Sequence, residues 1–367
     1  MERKRMKNST VVSLFSGGGG LDLGFVWADF NIIWANDNDI NAVDTYRLNI
    51  GNHIFHEDIN KINPNLIPKA DVVIGGPPCQ SFSLAGNRNP DDSRGELVWK
   101  YIDIINHIKP KIFVFENVSG LISAKDKNGN KILPQIEKAF IDIGYSIYTK
   151  LLNSADYGVP QLRKRLIILG TNIKKEYTFP KAIIENKNYI TVLQALGDLP
   201  AASESINELN YLCDPLNDFQ RIMRKNSYMV RDHKIPNTSD LDKYIISHVK
   251  PGGNYMDIPT DVASIRIKRL QTEGGHTTCY GRMHPDKPSY TINTHFNRPN
   301  LGSNIHYKYD RLITVREALR LQSFPDDYNI KSSSKKSKNS IIGNAVPPLL
   351  AYYIAISISK YLKESEK

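Results

Sequence analysis

The segment Gly75-Gly76-Pro77-Pro78-Cys79-Gln80-Ser81-Phe82-Ser83 sets a thiol directly behind two prolines. Proline fixes φ, so the backbone leading to the sulfur is stiff. A thiol presented in this way is placed for nucleophilic attack as its thiolate. A cysteine used only for packing is a small buried hydrophobe and needs no such scaffold. Glu116 closes the apolar run that starts at Lys111. A carboxyl desolvated there has a raised pKa and can pass a proton. The alternative is a carboxylate paired with a nearby arginine. Downstream, Gln161-Leu162-Arg163-Lys164-Arg165 puts Gln161, Arg163 and Arg165 on one side, because alternate residues of an extended segment share a side. That puts cations near Cys79 and Glu116, or near a phosphate.

A second group of residues points to a cofactor. Ser16-Gly17-Gly18-Gly19-Gly20 follows the short β-branched run Thr10 to Phe15 and precedes a helix-forming stretch. Such a turn aims backbone N–H groups at a ligand, and glycine permits close approach. It is neither a clean G-x-G-x-x-G nor a P-loop, since no Gly-Lys-Ser/Thr follows. Asp37 ends the next apolar run, where an acid binds ribose hydroxyls. Asp58 ends the third and could accept from an adenine amino group. Together they imply an adenosine-containing cofactor.

These residues must be held by regular elements. Strands are expected at Thr10 to Phe15, Ile32 to Ala35, His53 to Phe55, Asp71 to Ile74, Lys111 to Phe115, Tyr145 to Leu151 and Arg165 to Gly170. Helices are expected at Leu21 to Phe30, Asp39 to Leu48, Leu97 to Ile108 and Ile132 to Ile143. This alternation predicts an α/β fold with a parallel sheet covered on both faces. Ligands then sit beyond the carboxyl ends of the strands, where Ser16, Asp37, Asp58, Pro78, Cys79 and Glu116 all fall. After about Lys181 the rhythm gives way to Asn, Ser, Asp, Pro and Gly. Helices return at Thr314 to Gln322 and Pro348 to Leu362, with Lys331 to Lys338 read as an exposed loop.

Composition narrows the function classes. The 367 residues suit two domains, and 48 Lys+Arg against 38 Asp+Glu give +10, a charge that attracts polyanions. Only three cysteines occur, with no Cys-x-x-Cys, so no zinc ribbon or other metal site is expected. No apolar run reads as bilayer-spanning, and a soluble, cytoplasmic protein is expected.

With those residues in view, the chain resembles the DNA (cytosine-5)-methyltransferases, in particular the prokaryotic restriction-modification type. Leu14-Phe15-Ser16-Gly17-Gly18-Gly19-Gly20-Leu21 resembles the family's cofactor loop, and Pro77-Pro78-Cys79-Gln80 its nucleophile motif. Asp92-Ser93-Arg94-Gly95 with Leu97 resembles the end of its mobile catalytic loop. Glu116-Asn117-Val118 and Gln161-x-Arg163-x-Arg165 resemble its next two motifs. Arg311-Leu312, Thr314-x-Arg316-Glu317-Ala318 and Gln322-x-Phe324-Pro325 resemble the segment that supports target recognition, and Gly343-Asn344-Ala345-Val346-Pro347 the last motif. The motifs keep the family's order and cover all but the middle of the chain.

The resemblance implies a Rossmann-like S-adenosylmethionine-dependent domain over 1–180, completed by 338–367, and a smaller, irregular target-recognition domain with a hinge over 181–337. It implies catalytic roles for Cys79, Glu116, Arg163 and Arg165. It implies cofactor contacts from Phe15, Ser16, Gly17, Gly18, Gly20, Asp37, Asp58, Ile59, Pro78, Leu97, Asn344 and Ala345. Contacts to DNA are implied for Gln80, Ser83, Arg94 and Gln161. Asn38 stands where some relatives carry a tryptophan against the adenine, leaving that face to a side chain such as Ile40.

The implied chemistry is addition of Cys79 to C6 of a flipped-out cytosine, with Glu116 at N3 and methyl transfer to C5. Arg221, Arg224, Lys225, Arg231, Arg266, Lys268 and Arg269 are the cations available for reading double-stranded DNA. A cognate endonuclease and a monomeric state are implied as well. The alternatives are the same chemistry on transfer RNA, whose Cys-Phe-Thr signature is absent here, and a silent DNA-binding protein, which intact Cys79, Glu116 and Arg163 oppose.

Overall fold

The computed structural model describes residues 8–78, 96–126 and 128–366. The first strand, β1 (Thr10–Leu14), is buried along Val11, Val12, Ser13 and Leu14. It feeds the glycine-rich turn and then α1 (Gly20–Trp27). Next come β2 (Asn31–Asp37), α2 (Ile40–Asn49), β3 (Ile54–His56) and β4 (Val72–Gly75). Asp39 caps α2, its side chain accepting from Asn41 N. Then follow α3 (Glu96–Ile108), β5 (Ile112–Val118), α4 (Ile132–Asp142), β6 (Ser146–Asn153), the two-residue β7 (Gln161–Leu162) and β8 (Lys164–Thr171).

A seven-stranded sheet forms in the order β3-β2-β1-β4-β5-β8-β6. The strands β3, β2, β1, β4 and β5 run parallel, as alternation with helices predicts. The last two depart from that expectation: β8 is antiparallel to both β5 and β6. Only a single 3-10 turn, Ser154–Tyr157, and the two-residue β7 lie between β6 and β8, so the chain turns back without the long crossover that parallel pairing requires. On one face of the sheet, Val12, Leu14, Phe113 and Phe115 pack against Val98, Tyr101 and Ile105 of α3 and Phe140 of α4. On the other, Ala35 packs with Val43 and Tyr46 of α2.

The chain divides into two compact units. The first comprises Met1–Asn153, Lys164–Lys181 and Leu350–Lys367; the second comprises Ser154–Arg163 and Ala182–Leu349. The second holds short pieces: α5 (Val192–Leu196), β9 (Glu208–Asn210), α6 (Asp218–Met223), β10 (Met229–Arg231), α7 (Asp240–Ser247), α8 (Ile265–Glu273), β11 (Ser289–Tyr290), α9 (Val315–Leu321) and α10 (Lys335–Asn344). Residues 154–163 and 338–349 therefore leave the first domain expected from sequence. The reason is local bonding: the Arg163 guanidinium donates to the carbonyls of Ile292, Gly343 and Ala345 at 2.7–2.9 Å.

The Lys331 to Lys338 stretch is also corrected. Ser334 caps α10, accepting from Ser337 N, so the lysines begin a helix where a loop was expected. The final helix, α11 (Pro348–Ser365), lies in a stretch long and apolar enough to cross a bilayer by length and composition, contrary to the sequence reading. Leu350, Ala351, Ile354, Ala355 and Ile358 are fully buried, which is the pattern of a core helix.

Candidate active site

The site is built from strand ends of the first unit. After β1, Phe15 and Gly17 both adopt φ 55° and Gly19 φ 86°, so the turn doubles back before α1 begins. A Cβ on Gly17 would meet nothing within 4 Å, leaving open space over its backbone. Gly19 is different: a Cβ there would lie 2.1 Å from Ile50 and 2.9 Å from Tyr46, because α2 presses against the turn. Asp37 sits at the end of β2 and takes the Gly17 N–H on Oδ2 at 2.8 Å and the Asp39 N–H on Oδ1 at 2.9 Å. Burial raises its pKa, and the two backbone donors oppose that. A carboxylate has about four acceptor positions, so two N–H bonds leave it able to accept from further hydroxyls. Asp58 forms an Asx turn to Asn60 N at 3.0 Å, beside the buried Ile59. These features fit an adenosine-containing cofactor: open space above a glycine, and two acids at neighbouring strand ends. Ser16, Gly18, Gly20, Pro78 and Leu97 belong to the same unit, as does Ile40, which is 45% exposed at the start of α2.

At the end of β5, Glu116 is buried and forms an ion pair with Arg165 of β8, Nε to Oε1 at 2.8 Å. The register explains the pairing: Val118 stands opposite Arg165 across the antiparallel ladder. Burial lowers the Arg165 pKa, and the Glu116 charge opposes that shift. The arginine-paired alternative for Glu116 is therefore the one realised. Gly76 lies so close that a Cβ there would be 2.8 Å from Glu116 Oε2. Asn117 ties the same loop down, its Nδ2 donating to Pro77 O at 3.1 Å. So the chain that leads to Cys79 is fixed against the strand that carries Glu116.

Cys79, Gln80, Ser83 and Arg94 lie outside the described residues. Two other candidates are bonded to protein backbone in the structure. Arg163 is fully buried and clamps three carbonyls of the second unit, unlike Arg165 with its carboxylate. Gln161 is also fully buried, donating to Leu321 O at 3.1 Å and accepting from Ile292 N at 2.9 Å, so its amide holds protein backbone. The expected alternation of that segment is present, with Leu162 and Lys164 exposed between the buried residues. Asn344 is exposed and Ala345 half-buried, both in the second unit.

The profile of one protein family spans this whole arrangement: the C-5 cytosine-specific DNA methylase model matches residues 9–360. The chain belongs to that family. The enzyme is similar to the Type II methyltransferase M1.HphI of Haemophilus parahaemolyticus, 35% identical over 96% of this chain and 87% of that one. It is similar to the Type II methyltransferase M.NgoFVII of Neisseria gonorrhoeae, 36% identical over 95% and 86%. Among solved structures, the S. pombe Dnmt2 methyltransferase shares the fold at TM-score 0.61 and 18% identity, covering 96% of this chain and 99% of that one.

Sequence reasoning missed the buried charges of the second unit. Arg311 chelates Glu317 at 2.8 and 2.7 Å, while Arg320 bridges Asp198 at 2.8 Å and Asp326 at 2.7 Å. Arg224, grouped with the DNA-reading cations, pairs with Asp198 at 3.2 Å and lies over the Tyr211 ring at 3.7 Å, so it belongs to this network. The family-like run from Arg311 to Ala318 and the capping box Thr314–Glu317 within it were the signals available in sequence, and neither named the partners.

Proposed function

We propose that this DNA cytosine-5 methylase takes its methyl group from S-adenosylmethionine and uses Cys79 as the nucleophile on a cytosine flipped out of the double helix. The observation that carries the reading is the Glu116–Arg165 pair set against Gly76, in the strand end that leads to Cys79. The glycine turn of residues 15–20, Asp37 and Asp58 would hold the cofactor. When bound, S-adenosylmethionine supplies an electrophilic methyl group on a sulfonium.

Cytosine C5 is a poor nucleophile while the ring is aromatic. Addition of the Cys79 thiolate at C6 breaks the aromaticity and turns C5 into an enamine carbon. Glu116 must enter this step protonated despite its arginine partner: it would donate to N3, so the ring can accept the electron pair, and take that proton back as Cys79 leaves. Arg165 holds the Glu116 carboxyl at the strand end. After C5 is methylated, its proton leaves to water and Cys79 is expelled, restoring the ring. The buried C5 edge of a duplex is out of reach of such a site, which is why the base must be flipped. The +10 charge supports double-stranded DNA as partner. The relatives' Type II naming supports a restriction-modification role with a cognate endonuclease as counterpart.

Methyl transfer from labelled S-adenosylmethionine to mixed-sequence duplex DNA, beside transfer RNA, tests this for the wild type and Cys79→Ala. Label at C5 of DNA cytosine, lost in the variant, is expected. Label confined to RNA, or a fully active variant, would overturn it.

A further inference from the structure

Beneath the glycine turn runs a hydrogen-bonded chain that the mechanism does not use. Ser16 Oγ donates to Ser13 Oγ at 2.9 Å, and Ser13 Oγ donates to Asp22 Oδ2 at 2.9 Å. Tyr46 Oη donates to Asp22 Oδ1 at 2.9 Å and lies 3.0 Å from His53 Nε2. Ser13, Asp22 and Tyr46 are buried, and His53 is half-buried. The chain therefore links the turn to a histidine near the surface. Tyr46 supports the turn twice, since the same ring would block a Cβ on Gly19.

We infer that Asp22 is a positioning residue for the methyl donor: its carboxylate holds the glycine turn in the conformation that binds the cofactor, and affinity follows its charge. The inference rests on the reading of that turn as the cofactor site. An ionised carboxylate only accepts, so two hydroxyl donors, Ser13 and Tyr46, converge on it. Tyr46 has then spent its one proton, and His53 must donate Nε2–H to the phenol oxygen. Protonating Asp22 reverses one arm. The new O–H must find an acceptor, at Ser13, which disturbs Ser16, or at Tyr46, which turns its proton to His53.

Asp22 titrates in a useful range. Burial pushes it up to about 6 against the bonds from Ser13, Tyr46 and its own backbone N–H, and nearby Asp37 pushes the same way as burial. The other titratable groups facing it are Tyr46, kept protonated by burial and by Asp22, and His53, whose pKa burial lowers.

The test is calorimetric titration of the DNA-free enzyme with S-adenosylhomocysteine from about pH 5 to about pH 8. Wild-type affinity should fall as pH drops through about 6. Asp22→Asn, which offers one donor where two donors already point, should bind roughly tenfold more weakly near neutrality. It should also lose that component of the pH profile, while any contribution from Asp37 persists. Tyr46→Phe keeps the ring under Gly19 but removes a bond to the charged form, so its midpoint should move upward. A purely structural role would lower melting temperature without moving a midpoint. Wild-type affinity and profile in Asp22→Asn, or an unmoved midpoint in Tyr46→Phe, would overturn the inference. Should Asp22→Asn not fold, the wild-type and Tyr46→Phe midpoints decide it. Absence of binding by the wild type at every pH would bring down the cofactor reading itself, and the inference with it.

Discussion

At Gly76 a single methyl group would meet the carboxylate opposite. The 2.8 Å from a Cβ to Glu116 Oε2 is too short, and Glu116 is already held by Arg165, so the carboxylate would have to shift. Misplacement on this scale costs rate more than stability. Gly76→Ala should lower single-turnover methyl transfer on the order of tenfold with a nearly unchanged melting temperature. Glu116→Gln should lower it further, on the order of 10²- to 10⁴-fold, the usual contribution of a proton donor. Equal losses of rate and stability in Gly76→Ala would mean that Gly76 serves packing alone.

Helix α9 shows how one element is fixed by buried charge. Its Arg316 and Arg320 are fully buried, and Arg320 is shared between Asp198 and Asp326. Removing one partner leaves the others buried without compensation. Arg320→Met should therefore destabilise the second unit by about 3–5 kcal/mol in denaturant unfolding. His306 adds a pH term. Its Nδ1 accepts from Lys308 N and Tyr309 N, and burial lowers its pKa to about 4 although Glu317 opposes the shift. A histidine kept neutral by folding binds fewer protons folded than unfolded below its ordinary value of about 6.5. Its stabilising contribution is thus complete above about 6.5 and is lost progressively as pH falls toward about 4. Melting curves should show that decline in the wild type and a smaller one in His306→Gln. Parallel profiles would remove His306 from the account.

For the whole molecule, the excess of 48 Lys+Arg over 38 Asp+Glu acts through DNA phosphates, whose contacts release counterions. Exposed α8 carries Arg266 and Lys268 on its surface. If both meet phosphates, replacing them with alanine should flatten the slope of log affinity against log salt by about 1.8. The loss should be uniform across DNA sequences. An unchanged slope would place the DNA-facing cations elsewhere.

The sequence alone determined the elements and most strand ends of the first unit, because hydrophobic period, glycine turns and caps are local signals. It placed Glu116, Asp37 and the glycine turn at the ends of parallel strands, and the structure puts them there. It read Lys331 to Lys338, which includes the first turn of α10, as a loop because lysines and serines look solvated, although Ser334 was available as a cap. Which buried polar groups meet is set by the packing of distant segments. Arg163 and Arg165 stand two apart in one motif, yet one clamps carbonyls of the second unit and the other pairs with Glu116. Asp22, Tyr46 and His53 carry no motif at all, and their meeting depends on α2 crossing the glycine turn. A buried donor or acceptor must find a partner wherever the fold provides one, and that partner's position in sequence is set by topology, which local pattern does not encode.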